Sequence, residues 1–211
     1  MPVAFTGWPV EAVEFFEGLE DDNSRTYWQA NKAVYERAVK GPMEALLAEL
    51  EPDFGPGKIF RPYRDVRFSA DKTPYKLSCA AHLTGGYVSV SADELFVGSG
   101  LYMPMSDDLK RFRAAIDDDR AGVELEVIVG ALRKAKYDVG AHDTLKTAPR
   151  GYPKDHPRIE LLQRKGIVMS KAWPVGGWLG TKKAKDRVVT TLEAARPLNA
   201  WLADHVRAPA A

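Results

Sequence analysis

Pro52, Gly55, Pro56 and Gly57 cut the chain into two kinds of pattern, so no all-helical or all-strand fold accommodates it. Before this run the apolar residues recur at helical spacing. Ala12, Val13, Phe15, Phe16 and Leu19 fit one amphipathic helix over Glu11 to Leu19. Tyr27, Trp28, Tyr35, Ala38 and Val39 fit a second, with Asp21 to Ser24 as its turn and N-cap. Gly41-Pro42 interrupts that helix, and Pro42 suits the first turn of a third, Met43 to Leu50. After the breakers the period is two. Lys58 to Ser69, Lys76 to Leu83, Tyr87 to Ser91 and Leu95 to Gly100 read as strands. Gly85-Gly86 and Ala92-Asp93 are turns too short for anything but antiparallel neighbours. Helical spacing returns at Asp107 to Ile116, Gly122 to Lys136, around Ile159 to Lys165, and from Thr181 to about His205, with a disturbance at Pro197. Asp138 to Pro157 reads as a loop, Ile167 to Trp173 as a strand, and Pro174 to Trp178 as a turn. The expectation is a single α+β domain over 1–211. Its antiparallel meander of about four to five strands packs with N-terminal and C-terminal helices.

A chain of 211 residues buries enough surface to need no covalent staple. Cys79 is the single cysteine, which excludes an intrachain disulfide and fits a reducing compartment. The N-terminus has no signal-peptide pattern, and no apolar run has the length of a membrane span. A cytoplasmic location is expected. The net charge of +1 argues against a bulk nucleic-acid binder. Charge is nevertheless segregated. Residues 1–53 hold 4 Lys/Arg against 11 Asp/Glu, whereas residues 54–76 hold 6 against 2. Such asymmetry either steers an anionic partner or lets oppositely charged segments pack together.

The basic run is Arg61-Pro-Tyr-Arg-Asp-Val-Arg-Phe-Ser-Ala-Asp-Lys-Thr-Pro-Tyr-Lys76. On a strand, Arg61, Tyr63, Asp65, Arg67 and Ser69 share one face, and Arg64, Val66, Phe68 and Ala70 the other. Asp65 then sits between two guanidinium groups and orients both. Their remaining donors suit a carboxylate or phosphate. Asp71 to Pro74 forms a turn that returns Lys72 and either Tyr75 or Lys76 toward the same end. The same row also makes sense as a plain cross-strand ion-pair ladder, and both readings stand.

The segment resembles the signature of DUF2461, a bacterial family of unknown function: Arg-x-x-Arg-Asp-x-Arg-Phe followed by Asp/Asn-Lys-x-x-Tyr. Arg61, Arg64, Asp65, Arg67, Phe68, Asp71, Lys72 and Tyr75 occupy those positions. Trp28 to Lys32 with Tyr35 and Glu36, Gly98 to Pro104, and Ala148 to Tyr152 with Asp155 to Pro157 are similar to other segments of that family. The resemblance spans nearly the whole chain. It implies no activity and marks the residues worth testing.

Other candidates are thinner. Gly98-x-Gly100 lacks the third glycine of a dinucleotide loop and suits a strand end needing small residues. Lys182, Lys183 and Lys185 crowd a helix N-terminus, where solvation or a bound anion relieves them. His82, His142, His156 and His205 show no zinc-ligand spacing, so neither a metal nor a cofactor is expected. His156 suits a loop anchor better than a general base. Asn31, on the side of Trp28 and Tyr35, needs a polar partner. The leading expectation is a site for an anionic small molecule built from Arg61, Arg64, Asp65, Arg67 and Lys72, completed by Tyr75, Tyr102 and Arg150. An enzyme so built would stabilise an anionic transition state electrostatically. The rivals are a nucleic-acid-associated domain, with Tyr63, Tyr75 or Trp178 stacking on bases, and an interaction module without chemistry.

Overall fold

Alternating strands and amphipathic helices assemble as the two periods require. A computed structural model describes residues 4–67 and 70–207. The fold is α+β, with an antiparallel, meander-like sheet. The helices are α1 (Val10–Asp21), α2 (Arg25–Val34), α3 (Gly41–Phe54), α4 (Ser106–Asp117), α5 (Asp119–Lys134), α6 (Ile159–Leu162), α7 (Lys183–Ala194) and α8 (Arg196–His205). The strands are β1 (Gly57–Ile59), β2 (Ser78–Leu83), β3 (Gly86–Ser91), β4 (Glu94–Leu101), β5 (Asp138–Gly140) and β6 (Ile167–Pro174). Their order in the sheet is β1-β2-β3-β4-β6-β5.

The chain forms two compact units that interleave in sequence. One comprises 1–97 and 172–191, the other 98–171 and 192–211. Strands β4 and β6 contribute residues to both. The first unit has an aromatic core. Phe15 packs edge-on against Phe16 and Trp28, and Trp28 stacks flat on Tyr75 at 4.3 Å. The second has a core of Phe112, Ile116, Leu125, Ile167, Met169 and Trp201 with their neighbours. Burying each such side chain contributes about 1.5–3 kcal/mol.

Ser24 caps α2 by accepting from the Tyr27 amide at 3.1 Å, as its place before the apolar run requires. The expected break at Gly41-Pro42 is instead a π-helical turn over Tyr35–Lys40 that carries α2 straight into α3. Pro42 has no N–H, and in a regular helix its ring crowds the carbonyl four residues back. The wider turn absorbs this: the Gly41 amide bonds to Glu36 O, five residues back. Helix α3 also runs through Pro52 to Phe54 and stops only at Gly55. Gly55 has φ +75°, and a side chain there would collide with Thr84.

The strand expected over Lys58 to Ser69 ends at Ile59. Pro62 and Pro74 lack the donors a ladder needs. Pairing survives only in fragments: Phe60 N to Ala80 O at 2.8 Å, Lys76 N to Pro62 O at 2.8 Å, Arg64 N to Pro74 O at 2.9 Å, and a bridge between Tyr63 and Tyr75. Phe68 and Ser69 lie outside the described residues. Elsewhere the differences are small. The Asp138 to Pro157 loop contains β5, paired with β6 from Asp138↔Ser170 to Gly140↔Val168. The last helix divides before Pro197, which takes the first turn of α8.

Candidate functional site

Loss of the regular strand after Ile59 changes what the charged residues can do. Alternation no longer places Arg61, Asp65 and Arg67 in a row. Asp65 instead grips Arg67 alone, accepting from Nε at 2.9 Å and from a terminal nitrogen at 2.7 Å. These bonds hold the Asp65 carboxyl below its usual range, with Arg61 adding a weaker pull from farther away. Arg64 bonds to Asp71 and to Thr73 Oγ1. Asp71 also accepts from the Thr73 amide at 2.9 Å and hydroxyl at 2.8 Å, which makes Asp71 to Thr73 an Asx turn. The Thr73 amide, the Arg64 guanidinium and the Thr73 hydroxyl together lower the Asp71 pKa to about 2. Lys72 closes the loop through the Val66 carbonyl at 2.9 Å. Arg64, Asp65, Arg67 and Lys72 thus bond within the loop that carries them.

Tyr75 belongs to the floor beneath. It is 3% exposed. Its backbone is held from both sides by Asn23, whose amide donates to Tyr75 O and accepts from Tyr75 N, each at 3.1 Å. Burial raises the Tyr75 pKa. Tyr63 leans on this floor, 6.1 Å from Trp28 and 5.4 Å from Tyr75 between ring centroids, yet stays 48% exposed.

A cleft of about 650 Å³ opens between this wall and the helix that carries the π turn. Trp28, Tyr35, Phe60 and Tyr63 supply its aromatic surface. Lys32, Lys40, Lys58, Arg61, Glu36 and His82 supply its polar surface. Lys40 is engaged by Glu36 at 2.9 Å and Glu44 at 3.4 Å. The side chains of Lys32, Lys58 and Arg61 make no hydrogen bond or ion pair with any described residue. Trp28 adds a buried indole N–H with no acceptor among the described residues. Below the cleft, the Tyr35 hydroxyl approaches Cys79 Sγ at 4.0 Å. Burial pushes the Cys79 thiol up to about 11, where it is inert at neutral pH.

Arg61 and Lys32 both stand out in the sequence, but nothing there joins them, and neither Lys58 nor the π turn is marked. A π turn leaves no periodic signature, and three cations from separate elements share no motif. Asn31, expected to need a polar partner, finds it within its own helix, donating to Tyr27 O 3.0 Å away.

Tyr102 and Arg150 lie in the second unit. Tyr102 is 62% exposed, and its hydroxyl is 3.2 Å from His142 Nδ1. Arg150 is exposed in a turn closed by Tyr152 N to Pro149 O at 3.2 Å. His156 acts as an anchor: Nδ1 accepts from the Arg158 amide at 2.9 Å, and Nε2 is 3.1 Å from Asp117. Arg158, 6% exposed, caps the end of α4 by donating to Ile116 O at 2.7 Å and Asp117 O at 3.1 Å. Gly100 marks close strand packing rather than a phosphate loop, since a Cβ there would sit 2.3 Å from Ile167 O. Back in the first unit, Lys185 is neutralised by Glu49 at 2.6 Å. Among the described residues no cluster of His, Cys, Asp or Glu is arranged to hold a metal. No helix there is long and apolar enough to cross a membrane.

A search of the curated proteins finds no match. The conserved hypothetical proteins grouped as DUF2461 match over residues 11–201, a span that takes in the cleft, the basic loop and most of the core of both units. The chain belongs to the DUF2461 family.

Proposed function

We propose that the protein binds an anionic small molecule, a phosphate or carboxylate, in the cleft lined by Lys32, Lys58 and Arg61. One observation carries this reading: three cationic side chains line the same cleft, and none has a carboxylate partner among the described residues. Cations gathered in one cleft repel one another, Asp65 offsets Arg61 only weakly, and a bound anion removes more of that cost. The unmet indole N–H of Trp28 supports the same reading, because buried donors are almost always paired. So does the π turn, which supplies Tyr35, Glu36 and Lys40 to the cleft, since such turns concentrate at functional sites.

In this proposal the Arg64–Asp71 pair and Lys72 brace the loop that presents Arg61 and Tyr63, while Asp65 and Arg67 pair with each other at the surface outside the cleft. A cytoplasmic, bacterial setting belongs to the same proposal, in keeping with the lone cysteine. Titration with inorganic pyrophosphate tests it. Binding is expected in the wild type and lost in Arg61→Ala. Absence of wild-type binding to phosphates and carboxylates alike overturns it.

A further inference from the structure

We infer that the ligand is a phosphate monoester carried on a flat aromatic ring, of the size and chemistry of a nucleoside monophosphate. The inference rests on the anion-binding reading and narrows it. Charge decides the acid group. Lys40 is balanced by its glutamates, which leaves the charges of Lys32, Lys58 and Arg61. A carboxylate offsets one of them, whereas a phosphate monoester carries about −1.5 to −2 near neutral pH and presents three acceptor oxygens.

Exposed rings decide the body of the ligand. Phe60 and Tyr63 line the cleft yet remain 41% and 48% exposed. A Lys76 ammonium already lies over the Phe60 ring, 5.4 Å from its centroid. Tyr63 is different. Its ring packs at 49° to Trp28 and 44° to Tyr75, against their flat stack, and stays half exposed. A half-exposed ring already packed against the core is a stacking platform with a reduced ordering cost when a ligand arrives. Arg61 is only two residues before Tyr63. An acid group and a ring joined in one molecule therefore meet a cation and a platform from the same short segment. The cleft volume of about 650 Å³ falls within the range of small-molecule sites.

The test compares phenyl phosphate, uridine monophosphate and glycerol 3-phosphate by calorimetric titration of the full chain. The two aromatic esters are expected to bind about tenfold more tightly than the aliphatic one, the scale of one base–aromatic stack. Tyr63→Ala should erase that preference while leaving glycerol 3-phosphate binding within about twofold. Tyr63→Leu repeats the comparison with the side-chain bulk largely kept, and circular dichroism melts confirm that both variants fold. Equal binding of all three esters overturns the ring inference and leaves anion binding intact. A Tyr63→Ala variant that keeps the aromatic preference also overturns it. No binding of any ester sinks the reading beneath it. Affinity for a single-stranded oligonucleotide that grows with its length assigns the surface to nucleic acid and overturns the small-ligand inference.

Discussion

Trp8 and Trp28 are both 2% exposed or less, yet their indole nitrogens differ. Trp8 Nε1 donates to Val39 O at 3.2 Å, within the π turn, whereas Trp28 Nε1 has no partner among the described residues. Trimming either to Phe removes similar apolar surface, but only Trp8→Phe also breaks a hydrogen bond. Trp8→Phe should therefore cost about 1 kcal/mol more than Trp28→Phe in urea unfolding of the ligand-free protein. The reverse order would mean that Trp28 has an acceptor after all. Asp71 makes a second residue-level case. Its pKa in the fold is about 2, against about 3.9 in an unfolded chain. A carboxyl with a depressed pKa contributes stability that is complete above the unfolded value and is lost as pH falls through the folded one. The Asx turn should therefore hold at neutral pH and loosen between about pH 4 and about pH 2. A side-chain NMR titration should place the Asp71 midpoint near about 2, moving upward in Arg64→Ala. A midpoint at about 3.9 would show that the pairing is absent in solution.

At the scale of elements, the loop from Phe60 to Lys76 depends on one distant side chain. Asn23 supplies both bonds to the Tyr75 backbone from 52 residues away. Asn23→Ala leaves a buried N–H and C=O unmet, at a cost of about 1–3 kcal/mol. Faster hydrogen exchange at the Tyr75 amide and faster proteolysis between Arg61 and Thr73 are expected. Unchanged exchange would place the support elsewhere. Nothing local in the sequence marks Asn23, because its role exists only once α2 and Tyr75 meet. Other elements were legible. Strands β2, β3 and β4 follow from alternation bounded by Gly85-Gly86 and Ala92-Asp93, and β6 follows from its apolar run. Strand β5 was not, because three residues are too short to establish a period. The π turn was not, because its apolar spacing reads as ordinary helix with a proline fault. The bidentate Asp65–Arg67 pair was half legible: the two residues share a strand face, but the prolines that end the strand remove Arg61 from the row.

At the scale of the molecule, the α+β class and the antiparallel meander follow from where the hydrophobic period changes. The interleaving of two compact units does not, because segments near 97, 171 and 191 carry no linker composition. The candidate site shows the same division. The basic stretch is obvious in the sequence, but the partition of its cations is a matter of geometry. Arg64 and Arg67 are held by Asp71 and Asp65, while Arg61 joins Lys32 and Lys58 on the cleft. If that partition holds, Arg61 and not Arg67 governs anion binding, which calorimetry can read. Inorganic pyrophosphate is titrated into the wild type, Arg61→Ala and Arg67→Ala at low ionic strength. Binding is expected to the wild type and, within about threefold, to Arg67→Ala, with a loss of at least about tenfold in Arg61→Ala. Binding that survives Arg61→Ala but disappears in Arg67→Ala would contradict it.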